Sequence, residues 1–288
     1  MLKNILYATP FLLFFLFVGD RITAPRLAPS TPVLHPIAPL TVAPEGVIEC
    51  EKINAFNRAV TDFQADANIE FKGKRVRITA QVHHSRPRSA RVLVSSALGL
   101  EADIGSDGEK FWFWSKRYER DTVFCGRIED VERTRLKLPL NPHYLIPALG
   151  LGDIPTRNCV ASKADGKILL TEDVNGRRRV TLVDVAKRTV VGHYLYGGAG
   201  RLEAFSEVTQ HVLVSGYYLP QVVVMKWDGE EIDMVWTLSN HGVNVSPPAG
   251  TYTMPLKPRI YDLATDRVSL QLPGNGSNGW RGGRGRSS

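Results

Sequence analysis

Four large aromatic side chains occupy consecutive positions, Phe111, Trp112, Phe113 and Trp114, and no other feature of the chain restricts its fold as much. Successive side chains of a strand point to opposite faces. A strand here therefore sends the two phenylalanines one way and the two tryptophans the other. Burying all four removes on the order of 800 Å² from water. At about 25 cal/mol/Å² that is up to roughly 20 kcal/mol before discounting for residual burial in the unfolded chain. Either pair left in solvent would form a patch of functional size. Both faces must be covered, by two ordinary cores or by a curved sheet with helices or a ligand on its concave side and loops on its convex side.

The sequence around this strand supplies the rest of such a sheet. Val47, Ile48, Ile53, Phe56, Val60 and Phe63 form a helical apolar stripe, so the spacing predicts a helix over Glu45 to Asp66. From residue 68 the period becomes two, as in Val76, Ile78, Ala80 and Val82. Asp165-Gly166, Asn175-Gly176 and Asp228-Gly229 separate alternating segments and are two-residue hairpin signals. Consecutive hairpins mean an antiparallel meander, not βαβ units. Asn141, Pro142 and Gly150 or Gly152 bound a short helix that Pro147 interrupts. The expected fold is α+β and mainly β: a curved antiparallel sheet of about ten or eleven strands, an incomplete barrel closed by a few helices. No repeat of about 40 residues supports a propeller.

The ends read differently from the body. Lys3 precedes an apolar run from Ile5 to Val18, closed by Asp20 and Arg21, which is the layout of a signal peptide or an uncleaved signal anchor over residues 1–23. Residues 24–46 carry six prolines and form an extended spacer. A domain over 47–272 follows, then a basic, Gly-rich, disordered tail over 273–288. The formal charge of +7 is shared with the ends, leaving a mildly basic body that does not call for a nucleic-acid partner.

The chemistry of catalysis is missing. The seven histidines have no ligand spacing; His83 and His84 are adjacent and point apart on a strand. Ser106 and Ser277 each lack a glycine of the G-x-S-x-G elbow, and the G-x-G-x-x-G match at 274–279 lies in the polar tail. No enzyme, metal or cofactor is expected. Of three cysteines, Cys50, Cys125 and Cys159, the last two fall in expected strands. They are read either as a disulfide of an exported chain, with one thiol left over, or as buried thiols.

Two stretches carry a family resemblance. Residues 101–151 contain Gly105-Ser106-Asp107, the aromatic strand and the segment Pro142, Leu145, Leu149-Gly150-Leu151. Residues 215–244 contain Gly216, Leu219 and Pro220 leading into paired strands that end at Val243-Asn244. This pattern resembles the outer-membrane lipoprotein carrier (LolA/LolB-like) superfamily. The resemblance implies a half-barrel around an apolar cavity that takes lipoprotein acyl chains, with helices near 47–63 and 142–149 as its lid. One aromatic pair then faces the cavity and the other packs on the convex side.

The chain departs from that pattern in its proline spacer and basic tail, and Cys50 lies too far downstream to carry a lipid next to the signal. On this reading the protein is an exported, non-enzymatic lipid or lipoprotein binder of the periplasm or cell envelope. Phe111, Trp112, Phe113, Trp114, Leu145 and Leu149 would line its cavity. Acyl chains are the expected partner, and the N-terminal segment and tail give a route to a membrane surface. The alternatives are a tethered envelope scaffold whose cavity is self-filled and an envelope hydrolase.

Overall fold

The computed structural model describes residues 41–73, 77–133, 142–174, 176–227, 232–265 and 267–270. The signal or anchor segment, most of the proline spacer, the tail, Asn141, Asn175 and Asp228-Gly229 lie outside them. The described chain runs β1 (Thr41–Val42), α1 (Glu45–Asn57), β2 (Asp62–Phe71), β3 (Arg77–Ser85), β4 (Ser89–Ser96), β5 (Gly99–Asp107), β6 (Lys110–Ser115) and β7 (Thr122–Arg127). A 3-10 turn at Ile128–Arg133 and α2 (Pro142–Ala148) follow. Then come β8 (Val160–Ala164), β9 (Lys167–Val174), β10 (Arg177–Asp184), β11 (Thr189–Tyr196), β12 (Leu202–Val214), β13 (Tyr217–Trp227), β14 (Ile232–Val243), β15 (Arg259–Asp262) and β16 (Arg267–Leu270).

All of these strands belong to one open sheet, ordered β1-β8-β9-β10-β11-β12-β13-β14-β2-β3-β4-β5-β6-β7-β15-β16. Two meanders, β2–β7 and β8–β14, join where β14 pairs antiparallel with β2, Trp236 opposite Ile69 and Leu238 opposite Ala67. Hairpin turns use the left-handed residues their geometry needs: Asp165 and Gly166 between β8 and β9, Ser215 and Gly216 between β12 and β13. The fold class is the expected one. The sheet has sixteen strands, more than the expected ten or eleven: β1, β15 and β16 are short pieces without a pattern of their own, and the start of β2 lies under the expected helix.

The helix predicted over Glu45 to Asp66 ends at Asn57, and β2 has already begun at Asp62. In β2 the buried side is Phe63, Ala65, Ala67, Ile69 and Phe71. Two alanines in the alternation weaken its period-two signal, and Val60 and Phe63 extend the helical stripe by coincidence. Thr41 to Gly46, inside the stretch read as spacer, belong to the folded unit: the Ala43 amide donates to the Ala161 carbonyl at 2.9 Å, and a Cβ at Gly46 would lie 3.0 Å from Ala161 Cβ.

The curvature follows from one contact set. The short helix α2 touches β4 and β5 on one side and β12 on the other. In the sheet order β12 and β5 are separated by β13, β14, β2, β3 and β4. At about 4.8 Å per strand a flat sheet would hold them nearly 30 Å apart, whereas a helix is only about 10 Å across. The sheet therefore curls around α2, and the face that α2 touches is concave.

Candidate functional site

Two register lines across the concave face are apolar from end to end. One register line runs Ala65, Val82, Val92, Ile104, Phe113, Phe124 and Tyr261 across β2–β7 and β15. A neighbouring line runs Val208, Val223, Trp236, Ile69 and Ile78 across β12–β14, β2 and β3. These residues belong to one cluster. Into it α2 inserts Leu145, Ile146 and Leu149, with Leu145 and Leu149 fully buried.

The helix stops as the sequence indicated. Gly150 takes a left-handed φ of 76°, its amide donates to the Pro147 carbonyl at 2.7 Å, and the Leu151 amide reaches the Ile146 carbonyl at 3.1 Å. That is a Schellman cap. A Cβ at Gly150 would lie 2.9 Å from Val208 Cγ2, so the glycine also lets the cap sit on β12.

The aromatic strand divides between the two faces. Phe113 lies in the concave cluster with Leu145 and Leu149, and Phe111, on the same face, packs beside Gly126 and Leu263. Trp112 and Trp114 point the other way, into a separate cluster with Val123, Cys125, Met254 and Ile260. The cover on that convex side is the irregular segment 245–258 between β14 and β15. Lys257 Nζ stands 3.6 Å from the centre of the Trp114 ring, a cation–π contact, and Trp114 donates its indole N–H to the Arg120 carbonyl at 2.8 Å.

Beneath this segment lies a polar network that sequence reasoning did not find. Asp103 accepts from Arg91 (Nη2 to Oδ2, 2.6 Å; Nε to Oδ1, 3.1 Å) and from the Trp112 indole at 3.1 Å. Arg91 also donates to the Thr251 carbonyl at 2.9 Å. Tyr252 and Ser85 share a hydroxyl hydrogen bond at 2.8 Å. Gly105 is placed by the same packing: a Cβ there would overlap the Trp112 ring. The residues after it build the turn, with Asp107 Oδ1 accepting from the amides of Glu109 and Lys110 at 2.9 and 2.7 Å. Asn244, at the end of β14, accepts from the Thr61 amide at 2.8 Å and donates to the Ala59 carbonyl at 2.9 Å. It fixes the link between α1 and β2.

A second helix covers the far part of the concave face. α1 contributes Cys50 and Ile53 to a cluster with Ile154, Ala161, Ile168, Leu170, Val183 and Val190. The buried Asn54 amide pairs both ways with the Ile154 backbone, at 2.9 and 2.7 Å. Two histidines on this face are held neutral. Burial pushes His84 down to about 4, although its bond to the Ser89 carbonyl opposes the shift. Burial likewise pushes His193, beside Thr181, down to about 4. Among the described residues no three His, Cys, Asp or Glu side chains converge as metal ligands, and no helix is long and apolar enough to cross a membrane. Glu101 is buried between Ser96, Lys116 and Arg117, an ion-pair setting and not a carboxylate pair arranged for hydrolysis.

No family model matches the sequence, and no curated protein matches it. Solved structures do share its architecture. An outer membrane lipoprotein-sorting protein domain from Vibrio parahaemolyticus superposes with a TM-score of 0.54 at 10% identity, covering 73% of this chain and 96% of that one. A DUF1329 family protein from Desulfovibrio piger gives 0.51 at 11% identity, covering 72% and 95%. A LolA superfamily protein from Nitrosomonas europaea gives 0.48 at 14% identity, covering 74% and 98%. With the first two of these structures the chain thus shares its overall fold, at identities that speak for the fold alone.

Proposed function

We propose that the protein is an exported, non-enzymatic carrier or receptor that holds acyl chains of a lipid or lipoprotein on the concave face of its sheet. One observation carries this reading: the apolar register lines meet a short helix, α2, whose contribution to the core is the side chains Leu145, Ile146 and Leu149. An isolated helix this short has little stability of its own, so its position depends on that contact. When α2 lifts, an acyl chain takes the place of these side chains against Phe113, Ile104 and Trp236. Each methylene buried contributes about 0.8 kcal/mol. The exchange is apolar for apolar and needs no covalent step. The fold shared with a lipoprotein-sorting domain supports the same ligand class.

In this reading Phe111, Phe113, Leu145 and Leu149 belong to the ligand side. Trp112 and Trp114 hold the convex cover and so keep the aromatic strand in place from behind. The N-terminal run would take the chain to the cell envelope and anchor it at the inner membrane if uncleaved, with the proline-rich stretch as a spacer. The basic tail adds attraction to an anionic surface, and no nucleic acid is required as a partner.

The test is native mass spectrometry of protein purified gently from a membrane-containing host, followed by organic extraction. A reproducible added mass that extracts as lipid is the expected result. A bare polypeptide that also takes up no added lipopeptide overturns it. That outcome favours a scaffold with a self-filled core, a reading supported by the near-complete burial of Leu145, Leu149 and Phe113 in this form.

A further inference from the structure

We propose that Cys50 and Cys159 form a disulfide that fastens α1 to the sheet, leaving α2, among the described residues, as the movable cover of the concave face. The inference rests on the exported reading above, because such bonds persist in oxidising compartments.

The pairing follows from how α1 lies on β8 and the loop before it. At one end Gly46 sits against Ala161. At the other, Asn54 makes its two hydrogen bonds to the Ile154 backbone. Residues four apart on a helix share a face, so Cys50 stands on the same face midway between Gly46 and Asn54. Cys159 stands between Ala161 and Ile154 on the chain beneath. Cys50 is fully buried in one apolar cluster, and Cys159 is partly buried against the same cluster. Cys125 is on the convex face of β7 in the tryptophan cluster, with the sheet between it and this site. The pair Cys125–Cys159 considered from sequence is therefore separated, and the exchange of partner comes from topology: β7 and β8 adjoin in the chain but lie near opposite ends of the sheet.

Burial first, then Glu49 and Cys159, raise the Cys50 thiol to about 11. Such thiols ionise little at neutral pH and attack a disulfide slowly. The bond would thus be made as the chain folds, before α1 docks. In the step one thiolate attacks the disulfide of a thiol-oxidising protein, the second thiolate displaces the mixed disulfide, and the oxidant leaves as a dithiol. It thereby takes up the two electrons and two protons that the cysteines lose.

The bond is tested by alkylating denatured, unreduced protein and mapping its peptides by mass spectrometry. The samples are protein taken from the cell envelope and protein refolded in a glutathione redox buffer. A cross-linked peptide joining Cys50 to Cys159, lighter by two hydrogens, with Cys125 alkylated, is expected in both. The Cys125→Ser variant should retain it. Complete alkylation of all three cysteines after refolding, or any link to Cys125, overturns the pairing. A cross-link that forms on refolding but is absent from protein taken from cells upholds the pairing and overturns the exported reading instead.

Discussion

Trp112 donates its indole N–H to Asp103, and the same buried carboxylate neutralises Arg91. Four segments meet at this point: β4 through Arg91, β5 through Asp103, β6 through Trp112, and the convex cover through the Thr251 carbonyl. Removing one member of a buried charge pair leaves the other uncompensated, typically at 3–5 kcal/mol. Asp103→Ala should therefore destabilise the fold by about that amount. The double variant with Arg91→Ala should cost clearly less than the two single changes added together. Urea denaturation of the four proteins measures this, and strictly additive losses would show that the two residues are not coupled.

Gly105 and Trp112 form a second coupled pair. Nothing in the backbone at position 105 demands glycine, since its φ is not in the left-handed region. The requirement is room for the indole ring, which a Cβ would overlap. Gly105→Ala must push the ring off its Asp103 acceptor, and overpacking of this kind costs about 1–3 kcal/mol. In a Trp112→Ala background the space is vacant, so the same alanine should be nearly neutral. Thermal unfolding of the two pairs distinguishes this from a general intolerance of β5 to substitution.

Much of this arrangement was legible in the sequence because it is local. The four aromatics required cover on both faces, Asp-Gly and Asn-Gly marked hairpins, and Pro142 and Gly150 bounded α2. What escaped is non-local. The pairing of β14 with β2 depends on registry between distant segments. The choice of the phenylalanines for the concave face depends on which side α2 returns to. The role of the segment 245–258 could not be read because irregular chain has no period. Arg91 and Asp103 look like ordinary strand polar residues until β4 and β5 pair and the cover removes water. The Val243-Asn244 step is visible in the sequence as a pattern, but its purpose, Asn244 tying the α1–β2 link, appears only once those ends meet.

His84 makes stability depend on pH in a defined direction. It is buried among Phe63, Ala90 and Ser106, with Arg86, Asp62 and Asp153 as its nearby charges. Burial lowers it to about 4, whereas an unfolded chain holds histidine near 6.5. Below about 6.5 the unfolded state takes up a proton that the folded state refuses. Stability is thus fully present above that pH, declines as pH falls, and has lost about 3 kcal/mol per such residue near pH 4. His193 acts in the same sense. His84→Gln should remove one proton's share of the slope between pH 6 and 4.5, about 1.4 kcal/mol per pH unit. Urea midpoints across that range report it, and an unchanged slope would place the proton uptake elsewhere.

Leu149 separates the carrier reading from the self-filled core. The side chain is fully buried, so Leu149→Ala should cost about 2–5 kcal/mol whichever reading holds. The two readings diverge on ligand. If α2 must lift to admit an acyl chain, apparent affinity is reduced by the small fraction of molecules in which it has lifted. Weakening the docking of α2 raises that fraction. Each 1.4 kcal/mol lost from docking then tightens binding up to tenfold, until the open form predominates. Titration of a lysophospholipid or a lipopeptide into the wild type and Leu149→Ala should show tighter, saturable binding by the variant at a temperature where both are folded. A self-filled core predicts the opposite order of events: the alanine leaves a void large enough for a small apolar molecule, while the long-chain ligand still finds no site. A variant that takes up benzene but no lysophospholipid would therefore count against a carrier, because α2 would then be a permanent part of the core.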